Sequence, residues 1–291
     1  MQNGNQNNMK SQQQYEQKFS LEFFPPRTEP GMEKLKRVIT ELGVLQPEYM
    51  SVTYGAGGTT QEKTLETVRY IQEHTDQQTA PHLTCIGASK ESVTELLNTY
   101  SALGINRIVA LRGDLPSGMM DPGEFKHASD LVRFIKDSRG DEFHLEVAAY
   151  PETHPQARNC DIGIKWFKHK VDQGADSAIT QYFFNFDSYR YFIDNCEKNG
   201  IDLPIIPGIM PITNYENLIR FSEGCGAEVP RWLKCRLESF EDDQESLRAF
   251  GKEVVQELSQ KLLDAGAPGV HFYSMNSTQP TLDIVKSLTF K

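Results

Sequence analysis

Eight short β-rich runs alternate with stretches of helical period across residues 19–291, with no Pro/Ser-rich linker or shift of composition between them. Together these observations predict an α/β fold, a (β/α)8 TIM barrel in a single domain. Strict alternation implies parallel strands joined by right-handed crossovers. Length and unit count match closure of the sheet better than an open doubly wound arrangement. The strands are expected at 19–24, 49–54, 81–85, 107–111, 144–150, 177–184, 203–207 and 269–273. Helical patterns fall at 32–45, 60–73, 90–103, 125–138, 162–173, 187–199 and 215–222. A longer helical region at 231–265 reads as an extra helix before the last strand. Residues 1–18 are Gln/Asn-rich without the apolar stretch of a signal peptide, and are expected to form a disordered tail outside the 19–291 barrel.

Composition narrows the class. With 38% hydrophobic and 24% charged residues, the chain has the balance of an ordinary globular protein. The net charge of −10 is spread along the chain, which argues against nucleic acid or an anionic membrane as partner. Five cysteines, odd in number and without a C-x-x-C pair, speak against a disulfide framework or a zinc ribbon, so a reducing cytoplasm is the expected compartment. No apolar run approaches the roughly 20 residues needed to cross a bilayer.

In such a barrel the chemistry sits where strands end and their following loops begin. On the first strand, Glu22 shares a face with Ser20 and Phe24. A carboxyl group pointing inward among aromatics is partly desolvated and suited to general acid work; the alternative is a structural pair with a neighbouring Arg. The second strand runs into Thr53-Tyr54-Gly55-Ala56-Gly57-Gly58, which reads either as a phosphate cradle without the Lys of a P-loop or as a plain turn. His82 and Cys85 end the third strand with no second pair to complete a metal site, which leaves the imidazole for a cofactor or the backbone. Arg112-Gly113-Asp114 ends the fourth, where Gly113 lets a flat ligand approach the backbone; a structural Arg–Asp pair is the alternative. The fifth strand supplies small residues, then Tyr150, Glu152 and His154, and Gln181 interrupts the aromatic run of the sixth, either meeting a heteroaromatic edge or satisfied by backbone. There is no G-x-S-x-G elbow, no H-x-H after the first strand and no clear Schiff-base Lys. The inventory suits an organic redox cofactor, and the residues alone do not say which.

Eight strings decide further: S-L-E-F-F-P-P-R (20–27), V-T-Y-G-A (52–56), P-H-L-T-C (81–85), I-V-A-L-R-G-D-L-P (108–116), A-A-Y-P-E-T-H-P (148–155), K-V-D-Q-G-A-D (170–176), I-T-Q-Y-F-F (179–184) and I-I-P-G-I-M-P (205–211). In this order the chain resembles the bacterial type of 5,10-methylenetetrahydrofolate reductase, as the catalytic barrel only. The resemblance implies bound FAD, with NADH (or NADPH) as hydride donor and 5,10-methylenetetrahydrofolate reduced to 5-methyltetrahydrofolate by ping-pong kinetics. It places the chain in one-carbon metabolism and methionine biosynthesis, and allows a homo-oligomer. Glu22 then matches the general acid that protonates N10 of the folate, and Asp114 the carboxylate that favours the cationic iminium. Gln181 and Phe221 match substrate contacts. Thr53, Tyr54, Ala56, His82, Arg112, Gly113, Asp114, Ala128, Tyr150, His154, Ala157 and Lys170 match positions around FAD, Lys170 opposing the diphosphate. The chain departs from its apparent relatives at Gly163, Trp166 and His169, where polar or basic groups are commoner, at Ser277, where an Arg is frequent, and at Asn217, where a Gln is usual. Two rivals are a flavin barrel that oxidises a small amine such as proline and a non-catalytic flavin or folate binder. Retention of both Glu22 and Asp114 weighs against each.

Overall fold

The computed structural model describes residues 9–54, 61–114 and 123–291. Its strands are β1 (Lys18–Phe23), β2 (Tyr49–Val52), β3 (Gln78–Thr84), β4 (Arg107–Leu111), β5 (His144–Ala149), β6 (Ser177–Thr180), β7 (Ile205–Ile206), β8 (Gly208–Ile209) and β9 (Gly269–Tyr273). Helices follow them as α1 (Glu29–Gly43), α2 (Gln61–His74), α3 (Lys90–Ala102), α4 (Ala128–Arg139), α5 (Cys160–Val171), α6 (Phe186–Lys198), α7 (Tyr215–Cys225), α8 (Arg231–Glu238), α9 (Gln244–Asp264) and α10 (Thr281–Ser287). One sheet runs β7-β6-β5-β4-β3-β2-β1-β9-β8. Its two ends, β7 and β8, are consecutive in the chain and separated by Pro207 alone, so the order is that of a (β/α)8 barrel whose seventh strand is split. Proline has no N–H for the ladder, and Pro207 contributes only its carbonyl, which accepts from His271 N. Gly208 follows because a Cβ there would lie 2.1 Å from Thr180 O.

Two compact units are drawn from separated stretches of sequence. The first comprises Met1–Phe19, Ala149–Lys165 and Ile179–Lys291, and the second Ser20–Ala148 and Trp166–Ala178. In the second unit β1 to β5 pair in parallel with registers such as Glu22↔Ser51, Ser51↔Ala80 and Arg107↔His144. Strand β2 is buried at every position, as a parallel strand covered on both faces should be. Helix α1 begins where Thr28 accepts from Gly31 N, and buries Met32, Leu35, Val38, Ile39 and Leu42 at helical spacing. At the N-terminal ends of β2 and β4 a fully buried Glu146 accepts from Tyr49 Oη at 2.6 Å and from Arg107 at 2.5 Å. Conserving charge balance at that end of a barrel is a matter of stability.

Four expectations change. The helical region 231–265 is two helices, broken at 239–243 where Glu241 takes φ +48° and Asp243 caps α9 by accepting from Ser246 N. Strand 177–184 ends at Thr180, because Tyr182, Phe183 and Phe184 are buried by ring packing and not by pairing. Helix α10 was not expected. Residues 9–18, expected within the disordered tail, are seated: Met9 is buried, and the Gln12 amide donates to Leu203 O and accepts from Ile205 N. Residues 1–8 lie outside the described part.

Candidate active site

In the unit holding β1 to β5, Glu22 is the fifth of six residues in β1, and its Oε2 stands 3.2 Å from His82 Nε2 on β3. The two side chains are 17% and 8% exposed, so the carboxyl group is mostly withdrawn from water. Its neighbour is an imidazole where the structural alternative supposed an Arg. Although close, His82 Nε2 makes no aligned hydrogen bond and is a buried atom without a hydrogen-bond partner among the described residues. Beyond β2, Thr53 N donates to Phe23 O, while its buried Oγ1 has no partner among the described residues. Tyr54 is half-buried, and burial raises its phenol above the ordinary value. Ala56 lies outside the described residues.

Beyond β4, Arg112 Nε donates to Gly113 O at 3.3 Å. Gly113 has φ +83°, and a Cβ on it would come within 3.0 Å of Thr84 Cβ. Both the conformation and the space demand glycine. Asp114 follows, exposed to solvent. Ala128 opens α4 and is half-buried. Lys170, near the end of α5, donates from Nζ to Ala148 O and lies 5.7 Å from the Phe167 ring. Burial lowers its ammonium to about 8, and no carboxylate pairs with it among the described residues. A desolvated cation without an anion, two orphaned buried polar atoms at Thr53 and His82, and a backbone kept bare at Gly113 suit an anionic, planar cofactor. Among the described residues no group of three or more His, Cys, Asp or Glu is placed to hold a metal ion.

Tyr150, His154, Ala157, Gln181 and Phe221 lie in the other unit. Tyr150 meets the His154 ring edge-on, with centroids 4.3 Å apart. His154 Nδ1 accepts from Gln156 N, and its carbonyl from Ala157 N. Gln181 N continues the ladder to Ala149 O, and its side-chain Oε1 accepts from Tyr182 N at 3.0 Å. That contact fixes the amide so that Nε2 is left to donate. Phe221, on α7, is 38% exposed with the Arg220 guanidinium 5.1 Å from its ring centroid.

The family model for methylenetetrahydrofolate reductase matches residues 8–289. The chain belongs to the methylenetetrahydrofolate reductase family. The 5,10-methylenetetrahydrofolate reductase of Pectobacterium carotovorum subsp. carotovorum is 40% identical over 92% of this chain and 89% of its own length. The Arabidopsis thaliana protein named methylenetetrahydrofolate reductase (NADH) 1 is 36% identical over 93% of this chain, which spans 48% of that longer relative. A Clostridium thermocellum structure, described as binding two copies of 5-methyl-5,6,7,8-tetrahydrofolic acid, superposes with a TM-score of 0.66 at 18% identity, covering 95% of this chain and 94% of that one. This last likeness is one of fold.

As a methylenetetrahydrofolate reductase the chain is an oxidoreductase that acts on a folate. Its departures from relatives have definite surroundings. A Cβ on Gly163 would make an ordinary contact with Ala157 Cβ at 3.9 Å, while Trp166 is 50% exposed. His169 is exposed, Ser277 Oγ donates to Gln279 O, and Asn217 Oδ1 accepts from Arg220. Residues without an assigned role complete the picture. Tyr150, Glu152, Gln181, Tyr182 and Cys225 line one small recess. Glu152 Oε2 accepts from Glu228 N at 2.8 Å, Oε1 is buried without a partner, and burial raises the carboxyl above its usual range. Glu152 and Tyr182 stand in the motif strings A-A-Y-P-E-T-H-P and I-T-Q-Y-F-F without an assigned role, and Ser222 gave no signal, since a small residue on a helix looks like core.

Proposed function

We propose that the enzyme uses FAD and NADH, or NADPH, to convert 5,10-methylenetetrahydrofolate to 5-methyltetrahydrofolate in two alternating half-reactions, feeding methyl groups toward methionine. The observation that carries this reading is a mostly desolvated Glu22 beside His82, at the position where the family motif has its acid. Bound FAD would accept hydride from the nicotinamide and deliver hydride to the folate. Glu22 holds the proton that N10 of the folate takes up as the five-membered ring opens. Asp114 places negative charge where the resulting iminium cation gains stabilisation. Gln181 donates from Nε2 to an acceptor on the pterin edge, and exposed Phe221 offers a face to nicotinamide and pterin in turn. Were FAD bound, Lys170 would oppose its diphosphate, and Thr53, Tyr54, Ala56, His82, Arg112, Gly113, Asp114, Ala128, Tyr150, His154 and Ala157 are the positions that would hold it. The Clostridium relative's bound 5-methyl-5,6,7,8-tetrahydrofolic acid supports a folate for this fold. Residues 19–291 are read as one catalytic domain, cytoplasmic, with a homo-oligomer as the working assembly.

An absorption spectrum of the purified protein with added FAD, taken anaerobically with NADH and then with methylenetetrahydrofolate, tests this directly. Flavin bleached by NADH and restored by the folate is the expected result. Flavin bleached but not restored would remove the folate half-reaction, and failure to retain FAD would remove the cofactor assignment.

A further inference from the structure

The two residues read as substrate contacts each have a sequence neighbour that is buried and polar, and those neighbours are bonded to each other. Tyr182 follows Gln181, and Ser222 follows Phe221. Both are nearly inaccessible, at 6% and 4% exposure, and Tyr182 Oη lies 3.0 Å from Ser222 Oγ. Cys225, one turn further along α7, approaches the same phenol oxygen with its Sγ at 3.4 Å. With the thiol donating to the phenol oxygen, the phenol hydrogen is directed at Ser222 Oγ. The Tyr182 ring is held on its other sides by Phe184 and Tyr273, at centroid distances of 5.9 and 6.2 Å. Tyr273 Oη in turn donates to Thr180 O, two residues before Tyr182.

We infer that Tyr182 and Ser222 are positioning residues for the folate half-reaction: their buried hydrogen bond ties the segment just after β6, which carries Gln181, to α7, which carries Phe221. The inference rests on the reading of Gln181 and Phe221 as substrate contacts. A polar tie inside an apolar site is costly unless satisfied, and here each hydroxyl finds the other. It fixes a donor and an aromatic face relative to one another, whereas apolar packing alone would let α7 slide. With the two hydroxyls engaged with each other, the effect passes through Gln181 and Phe221. The backbone of Tyr182 already holds the Gln181 amide, since Tyr182 N donates to Gln181 Oε1.

The experiment uses FAD-loaded enzyme and compares Tyr182→Phe, Ser222→Ala, the double variant and Gln181→Ala. Each is measured for NADH reduction of the flavin, for KM and kcat with methylenetetrahydrofolate, and for Tm. Loss of one neutral buried hydrogen bond predicts a rise in folate KM of about two- to tenfold in either single variant. The double variant should be no worse than the singles, because both remove the same bond. The rate of flavin reduction at saturating NADH should match the parent, any effect through Phe221 falling on the KM for NADH, and Ser222→Thr, which retains a hydroxyl, should restore the folate KM. Should the KM stay at the parent value in Tyr182→Phe and Ser222→Ala while Tm falls, the tie is structural only and the inference is overturned. Additive effects in the double variant would overturn it too. Gln181→Ala separates the two levels of the argument: if it leaves folate KM unchanged, the substrate-contact reading itself fails. If it raises KM while the Tyr182 and Ser222 variants do not, only the positioning role fails.

Discussion

Glu22→Gln is the sharpest perturbation of the proposed chemistry because it preserves shape and removes only the proton that the folate must receive. The side chain is 17% exposed, and its contact with His82 is a 3.2 Å approach without hydrogen-bond alignment, one of the interactions it makes. Losing so imperfect a pair costs on the order of 1 kcal/mol, which in a chain of this size lowers Tm by no more than about 4 °C. The chemical cost is far larger. A positioned general acid contributes about 10²- to 10⁴-fold, equivalent to roughly 3–5 kcal/mol of barrier. These magnitudes differ enough to separate a catalytic from a structural glutamate. Stopped-flow measurement of FAD-loaded enzyme should find NADH reduction of the flavin within about threefold of the parent and folate-dependent reoxidation slowed by at least about a hundredfold. A folate half-reaction of normal rate in a folded Glu22→Gln enzyme would refute the reasoning. Equal slowing of both half-reactions, with a large fall in Tm, would make the Glu22–His82 pair a structural one.

Lys170 gives a prediction in pH. The folded chain holds its ammonium only to about 8, against 10.5 for the ordinary side chain, so between those values the unfolded state binds more protons and the stability of FAD-free protein rises with pH. Lys170→Met should flatten that rise in a Tm-against-pH series and weaken FAD binding by about tenfold or more, read by flavin fluorescence. Arg107→Ala leaves the fully buried Glu146 carboxylate without its cation and should cost about 3–5 kcal/mol in urea unfolding, with folate KM unchanged. Gln12→Ala strips the acceptor from buried Ile205 N and should cost about 1–3 kcal/mol in the same assay, a loss that a disordered tail would not show.

The barrel was legible because its signal is repeated. Each β/α unit carries its own apolar run, its own helical stripe and often its own cap, such as Thr28 before α1 and Ser89 before α3, so an error in one unit leaves the order intact. Boundaries failed where a different force decided them. Across 177–184 the residues other than Ser177, Thr180 and Gln181 are apolar or aromatic, and nothing in that pattern distinguishes a residue buried by pairing from one buried by ring packing. The break at 239–243 did have a sequence signal, Asp243 three residues before Ser246, but two helices with apolar stripes in near-continuous phase conceal it. The seating of residues 9–18 is the opposite case. Gln and Asn are the residues of disordered tails by composition, yet a glutamine amide has both a donor and an acceptor, and Gln12 uses them on a carbonyl and an N–H of one passing strand segment.

At the site, legibility followed chemical type. A lone carboxylate within an apolar strand, Glu22, and a glycine beside a charge, Gly113, stand out because each is expensive or pointless unless used, and the structure gives both a definite setting: withdrawal from water beside an imidazole, and a left-handed turn against Thr84. What could not be read is what depends on partners distant in sequence. Nothing about Lys170 as a residue indicates that its ammonium is desolvated and without a carboxylate; that follows from where α5 leaves it against Ala148. Tyr182 and Ser222 are forty positions apart and individually bland, and become informative only as a bonded pair. Residues proposed to touch a ligand can thus be named from a strand-end motif, while those proposed to hold them in place are recognised only from the contacts they make. A family motif set therefore proposes the acid, the carboxylate and the amide, and the bonded pairs beside them propose how this particular chain would hold them.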